Sequence, residues 1–241
     1  SLIGFVISLL LVFRTNTAYD RWWEGRKKWG ALVNDSRNLA IKLSIIVKTD
    51  SDRDFFNRMV SNFSFSVKEH LRDNINLEEL DLSDTERREL EKATHIPNMI
   101  SQRIYQRIQL LKEAKKITEE EFLALDKNIN ALLDSLGACE RIKNTPIPFS
   151  YSLFLKKFIF IYVTTLPIAF ITLFGYYSAL IATFVFYVLV SMEVLAEEIE
   201  DPFGEDDNDL PTDQLCVKIK ENVSEIFNQG SLSSNQTTTE Q

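Results

Sequence analysis

Residues 158–192 read FIFIYVTTLPIAFITLFGYYSALIATFVFYVLVSM, without a single Asp, Glu, Lys or Arg. A helix at the surface of a soluble protein buries one stripe and keeps charge on the other face. A neutral run of this length belongs in lipid, where a span needs about 20 apolar residues. As one helix the run extends roughly 50 Å at about 1.5 Å per residue, whereas the hydrocarbon core is about 30 Å thick. Two spans meeting at a turn fit both lengths, and Gly175-Tyr176-Tyr177-Ser178 supplies the break.

Working outward, residues 1–13 carry no charge either, and they run into Arg14-Thr15-Asn16-Thr17-Ala18-Tyr19-Asp20-Arg21-Trp22-Trp23. This reads as one long helix that leaves the membrane between Arg14 and Trp23. Trp22 and Trp23 fit an interfacial belt, since indole has an apolar body and one polar donor. They fit equally well as core residues of the next domain. Arg14, Arg21, Arg26, Lys27 and Lys28 follow the first span, and Lys156 and Lys157 precede the second, while the turn at 174–178 is uncharged. The positive-inside rule puts 14–157 and the stretch after Met192 in the cytosol, with the turn outside. On that topology a further span upstream of residue 1 is expected, for four in all. The expected location is the cell membrane, multi-pass, with a cytosolic C-terminus.

The resulting division is a membrane helix at 1–23, a cytosolic helical domain at 24–150 and a membrane hairpin at 151–193. An acidic loop and a C-terminal helix follow at 194–228, then a disordered tail at 229–241. The domain at 24–150 reads as helical. Segments 28–47 and 52–72 are apolar at helix-compatible positions, and Ser83/Glu86 and Thr118/Glu121 have capping-box spacing. After Thr118, Phe122, Leu125, Ile129, Leu132, Leu133 and Leu136 form an i, i+3, i+4 stripe. No segment alternates like a strand, so the fold class is all-α. Beyond Pro211, Leu215, Ile219, Val223 and Ile226 keep helical spacing, and the tail is Ser-, Thr-, Asn- and Gln-rich.

The net charge of −8 over 241 residues argues against a nucleic-acid partner. Cys139 and Cys216 make no disulfide framework. His70 and His95 lie far from them, so the spacing makes a zinc site improbable. The apolar run at 1–13 has no Met and no basic n-region, so it does not read as a signal peptide but as a membrane helix cut at or near its start. Paired carboxylates, metal spacings and nucleotide motifs are missing from the spans, which argues against an enzyme. Intramembrane charges, the usual mark of a transporter, are missing as well.

Three stretches in order resemble the bestrophin family in its bacterial-type branch: Phe13-Arg14-Thr15-Asn16-Thr17-Ala18-Tyr19-Asp20-Arg21-Trp22-Trp23-Glu24, Cys139-Glu140-Arg141-Ile142-Lys143-Asn144-Thr145-Pro146-Ile147-Pro148-Phe149-Ser150-Tyr151, and Glu200-Asp201-Pro202-Phe203-Gly204-Glu205-Asp206-Asp207-Asn208-Asp209-Leu210. The resemblance implies a homo-pentamer with its pore on the five-fold axis, conducting small inorganic ions among membrane lipid. It also implies a neck lined by Phe5, Leu9 and Phe13. Their i, i+4, i+8 spacing puts the three on one helix face, where five copies would make apolar collars that gate by dewetting. Without the resemblance, that face could equally meet lipid, as Leu2, Val6 and Leu10 could. Gly4 and Ser8 have the spacing of a close helix contact.

The resemblance further implies a calcium clasp at Asp206 and Asp209, with a backbone carbonyl near Asp201. Oxygen ligands suit Ca²⁺, although prokaryotic-type members need not use it. The alternative is an acidic loop that caps a helix or pairs with nearby Arg and Lys. Ile117 is the candidate for a second, cytosolic constriction. Pro146 and Pro148 make an extended elbow, with Glu140 and Arg141 as a structural ion pair. The family's usual permeant is chloride. A cation channel of the same fold, or a membrane-anchored assembly protein, remains open.

Overall fold

The computed structural model describes residues 2–236, with 230–236 as backbone only. Among the described residues there are eight helices and no strand: α1 (Leu2–Ile46), α2 (Asp50–Leu71), α3 (Asp84–Leu90), α4 (Ile96–Glu113), α5 (Glu119–Asn144), α6 (Phe149–Phe174), α7 (Tyr177–Glu200) and α8 (Thr212–Gln236). Helix α8 runs past the end expected from the sequence, so the stretch 229–236 assigned to a disordered tail is helical; 237–241 lie outside the described residues. The chain divides into two compact units, 1–25 with 142–210 and 26–141 with 211–241.

In the first unit, α6 and α7 pair as a hairpin. At 26 and 24 residues each exceeds a bilayer's hydrocarbon core at about 1.5 Å per residue. The turn falls where the sequence places it. Gly175 closes α6 with φ +53° and ψ −129°, a conformation open to glycine and strained for a residue with a Cβ. Its N–H bonds the Ile171 carbonyl at 2.9 Å. Pro167 lies inside α6 without ending it. The unit's buried cluster is Ile7 and Leu11 of α1 against Leu155 and Ile159 of α6, with Leu189 and Val190 of α7 packed on it. The outer surface is apolar, with Ile168, Leu173, Phe184 and Tyr187 all exposed. Three helices, α1, α6 and α7, are long and apolar enough to cross a membrane.

In the second unit, α2 packs against both α4 and α8. From Met59 to Glu69 every residue of α2 is buried, including Ser61, Asn62, Ser64, Ser66, Lys68 and Glu69. The serines stay in the helix by bonding back to carbonyls of the previous turn: Ser61 to Asn57, Ser64 to Ser61 and Ser66 to Phe63, at 2.7–2.8 Å. Lys68 reaches Asp213 Oδ1 at 2.8 Å and Glu69 Oε1 at 3.1 Å, and it also bonds Glu79. Burial opposes its charge, but the bonds to Asp213, Glu79 and Glu69 outweigh that and raise its pKa. The Arg72 bond, helped by Lys68 and opposed by burial, pulls the Asp213 carboxyl down to about 2.

Both capping boxes form. Glu86 N–H donates to Ser83 Oγ at 3.4 Å and Ser83 N–H to Glu86 Oε2 at 2.8 Å. Thr118 N–H donates to Glu121 Oε2 at 2.8 Å and Glu121 N–H to Thr118 Oγ1 at 3.2 Å. The stripe that follows packs as its period predicts: Phe122, Leu125, Ile129, Leu132 and Leu136 are buried.

Candidate functional site: an apolar helix face and its polar clamp

The first turns of α1 present two opposite faces. Positions 7, 11, 14 and 18 cluster on one side at about 100° per residue, and positions 5, 9 and 13 centre about 180° away. Ile7, Leu11, Arg14 and Ala18 are buried at 0, 4, 2 and 0% exposure, whereas Phe5, Leu9 and Phe13 are 66, 43 and 57% exposed. The three collar candidates therefore share an apolar face that the single chain leaves open. Leu2 is exposed on the same face, Val6 and Val12 are exposed on its flanks, and Ile3 is exposed nearer the packed side. Ser8 Oγ bonds the Gly4 carbonyl at 2.9 Å.

Behind that face sits a polar clamp built from the Arg-Thr-Asn-Thr-Ala-Tyr-Asp-Arg-Trp-Trp stretch. Arg14 Nη2 bonds Glu200 Oε2 at 2.6 Å, and its Nε lies 3.9 Å from Glu193 Oε1. The other Glu200 oxygen accepts the Ile147 N–H at 2.6 Å. Neither Glu193 oxygen accepts a hydrogen bond among the described residues, and its compensating charge comes from Arg14 first and Lys156 second. Two turns further on, Arg21 binds three carbonyls: Glu200 at 3.1 Å, Ile142 at 2.6 Å and Thr145. Tyr151 donates to the Leu10 carbonyl at 3.2 Å. The two arginines tie α1 to the end of α7 and to the Pro146–Pro148 elbow. Arg14 and Glu193, each directly after an uncharged run (1–13 and 158–192), meet at the buried side of α1 and α7.

Tyr19, Trp22 and Trp23 form a ladder, with ring centroids 6.2 and 6.4 Å apart and near-parallel planes. Trp23 is 47% exposed and Trp22 Nε1 donates to the Asn208 carbonyl at 3.0 Å. Trp22 is half-buried and Trp23 exposed, so neither is a fully buried core residue.

The acidic loop closes on itself. Asp206 N–H donates to Asp209 Oδ2 at 2.8 Å, and Leu210 N–H to the Pro202 carbonyl at 3.0 Å. A Cβ at Gly204 would lie 2.6 Å from Asp209 Oδ2, so any side chain there would have to displace the carboxylate that closes the loop. Asp201 and Asp206 are exposed, and Asp201 accepts the Phe203 N–H at 3.5 Å. The three aspartates form no cluster of converging carboxylates among the described residues. The donor chemistry suits calcium, but in this chain Asp209 already closes the loop.

Ile117 is buried at 7% exposure, beside Ile46, Val47 and Leu111 around a cavity of about 250 Å³. Glu140, expected to serve an ion pair with Arg141, takes both histidines instead. His70 Nε2 and His95 Nε2 each lie 2.8 Å from Glu140 Oε1. The sequence separation hid this meeting.

Three bilayer-length apolar helices among the described residues mark the chain as a membrane protein. More narrowly, it belongs to the bestrophin family: the Bestrophin_2 model, described as bacterial/fungal bestrophin protein, matches residues 1–225. A voltage-dependent anion channel-forming protein of Nostoc sp. is 39% identical over 92% of this chain and 75% of its own length. A protein of the same description from Synechocystis sp. is 35% identical over 93% and 75%. A crystal structure of a bacterial bestrophin homologue from Klebsiella pneumoniae, solved by Zn-SAD phasing, is also similar. It superposes with a TM-score of 0.88 at 32% identity, covering 95% of this chain and 86% of that one.

Proposed function

We propose that the chain builds an anion channel, with chloride as the default permeant, in which five copies surround a neck of three apolar rings, Phe5, Leu9 and Phe13. The observation that carries this reading is the open apolar face of α1, set opposite the face packed on α6. A narrow apolar tube expels water and ions unless it widens, so such collars gate without charged groups. The names of the curated relatives support an anion as the permeant. The clamp through Arg14 and Arg21 holds α1 against the hairpin, so that its free face can turn to the axis.

In this reading the protein lies in the cell membrane. The Lys and Arg distribution puts the 24–150 domain and the C-terminus in the cytosol. Calcium at Asp201, Asp206 and Asp209 belongs to the same proposal and rests on the family resemblance. The test is current through the purified protein in a planar bilayer under a KCl gradient, with and without micromolar calcium. Alanine at all three collar positions is expected to raise conductance or leak. A reversal potential of cation sign would replace the anion assignment. The absence of current from folded wild type and mutant would favour a membrane-anchored assembly protein.

A further inference from the structure

We propose that His70, His95 and Glu140 form a binding site for a divalent transition metal of the zinc class, independent of the channel reading. Their ligand atoms lie within 4.8 Å of one another. Both imidazole Nε2 atoms contact the same carboxylate oxygen at 2.8 Å, and the ring centroids are 4.3 Å apart. Two imidazoles and a carboxylate are donors that zinc accepts, usually with a water as fourth ligand. Magnesium and calcium prefer all-oxygen sets. Metal–ligand bonds of about 2.0–2.1 Å in a tetrahedron hold donors roughly 3.3–3.5 Å apart. The Nε2–Oε1 contacts must therefore widen by about half an ångström.

The side chains can move by that amount while their backbones stay fixed. The three side chains are 28–30% exposed, which leaves an approach for the ion and its water. Their anchor points are packed. His70 is in the last turn of α2 after a fully buried stretch, His95 is the N-cap of α4, and Glu140 follows buried Cys139 on α5. A bound ion would clip three helices that are far apart in sequence.

One contact opposes loading. His95 Nδ1 accepts the Asn98 N–H at 3.2 Å, which puts the proton of a neutral ring on Nε2. Binding a metal through Nε2 moves that proton to Nδ1 and breaks the cap. His95 is thus the weakest of the three ligands, and His70 and Glu140 carry most of the affinity.

The experiment uses tag-free, chelator-stripped protein in detergent, titrated with Zn²⁺ against a chromogenic competitor and separately with Co²⁺. One Zn²⁺ per chain and the visible bands of tetrahedral Co²⁺ are expected. His70→Asn and Glu140→Gln each weaken binding by more than about tenfold, the scale on which even outer partners of a metal site act. His95→Asn, which keeps a capping acceptor, weakens it less than either. Circular dichroism establishes that each variant is folded. Wild type that takes up no Zn²⁺ at micromolar concentration overturns the proposal. So does binding unchanged in folded His70→Asn/Glu140→Gln, or binding lost only on Cys139→Ser.

Discussion

Replacing Arg14 by Met tests whether the clamp holds the first unit together. The substitution keeps an unbranched apolar stem and removes the guanidinium from a site where the side chain is 1% exposed. Two carboxylates lose the Arg14 charge, Glu193 at 4% side-chain exposure, which is left with the weaker influence of Lys156, and Glu200 at 14%. Removing one partner of a buried ion pair typically costs about 3–5 kcal/mol, because the charge left behind stays desolvated. Glu200 keeps the Ile147 N–H, so the lower end, about 3 kcal/mol, is expected. For a chain of this size that corresponds to a fall of roughly 6–12 °C in Tm. The assay is thermal unfolding in detergent by circular dichroism, with Arg14→Met/Glu193→Gln as partner variant. Neutralising Glu193 removes the stranded charge, so the double variant is expected to recover most of the loss. A single variant within about 1 kcal/mol of wild type, or a double variant worse than the single, would refute the assignment of Arg14 as the compensating charge.

Gly204→Ala is expected to open the acidic loop, because the new Cβ meets Asp209 Oδ2 at 2.6 Å; faster amide exchange at Asp206 and Leu210 is the readout, and unchanged protection counts against the closure. Asp213 gives a pH dependence. Its carboxyl is depressed to about 2 from 3.8, so its stabilisation is complete above about pH 4 and is lost as pH falls toward 2. The group is largely exposed, and solvent screening holds the effect to about 1 kcal/mol or less. Asp213→Asn should flatten the acid limb of the stability curve, and an identical limb would contradict the pairing with Arg72 and Lys68. Burial pushes the Cys216 thiol up to about 12. It should resist maleimide at pH 7 until the protein unfolds, and rapid native labelling would show that the α2–α8 packing opens.

What the sequence made legible was whatever depends on short range. The charge gap at 158–192 and Gly175 between its halves gave the hairpin. The Ser83 and Thr118 boxes and the α5 stripe gave their helices, since each signal lies within a turn or two of what it specifies. The buried polar run from Ser61 to Glu69 was not legible: its serines are satisfied inside the helix, but Asn62 depends on Asp81 and Lys68 on Glu79 and Asp213, outside it. The Arg14–Glu193 pair and the His70–His95–Glu140 cluster stayed hidden for the same reason. The faint cue for His95 was its place directly before Ile96-Pro97, where an N-cap belongs. The collar face was legible as a spacing, but only the burial of Ile7 and Leu11 identified which side of α1 stays open.

The most direct test of the central claim is single-channel recording of the purified protein beside its Phe5→Ala/Leu9→Ala/Phe13→Ala variant, in planar bilayers under a KCl gradient. The account predicts a reversal potential of anion sign in both and a larger, less gated current in the variant. Equal currents from two folded proteins would contradict the assignment of the α1 face as the gate.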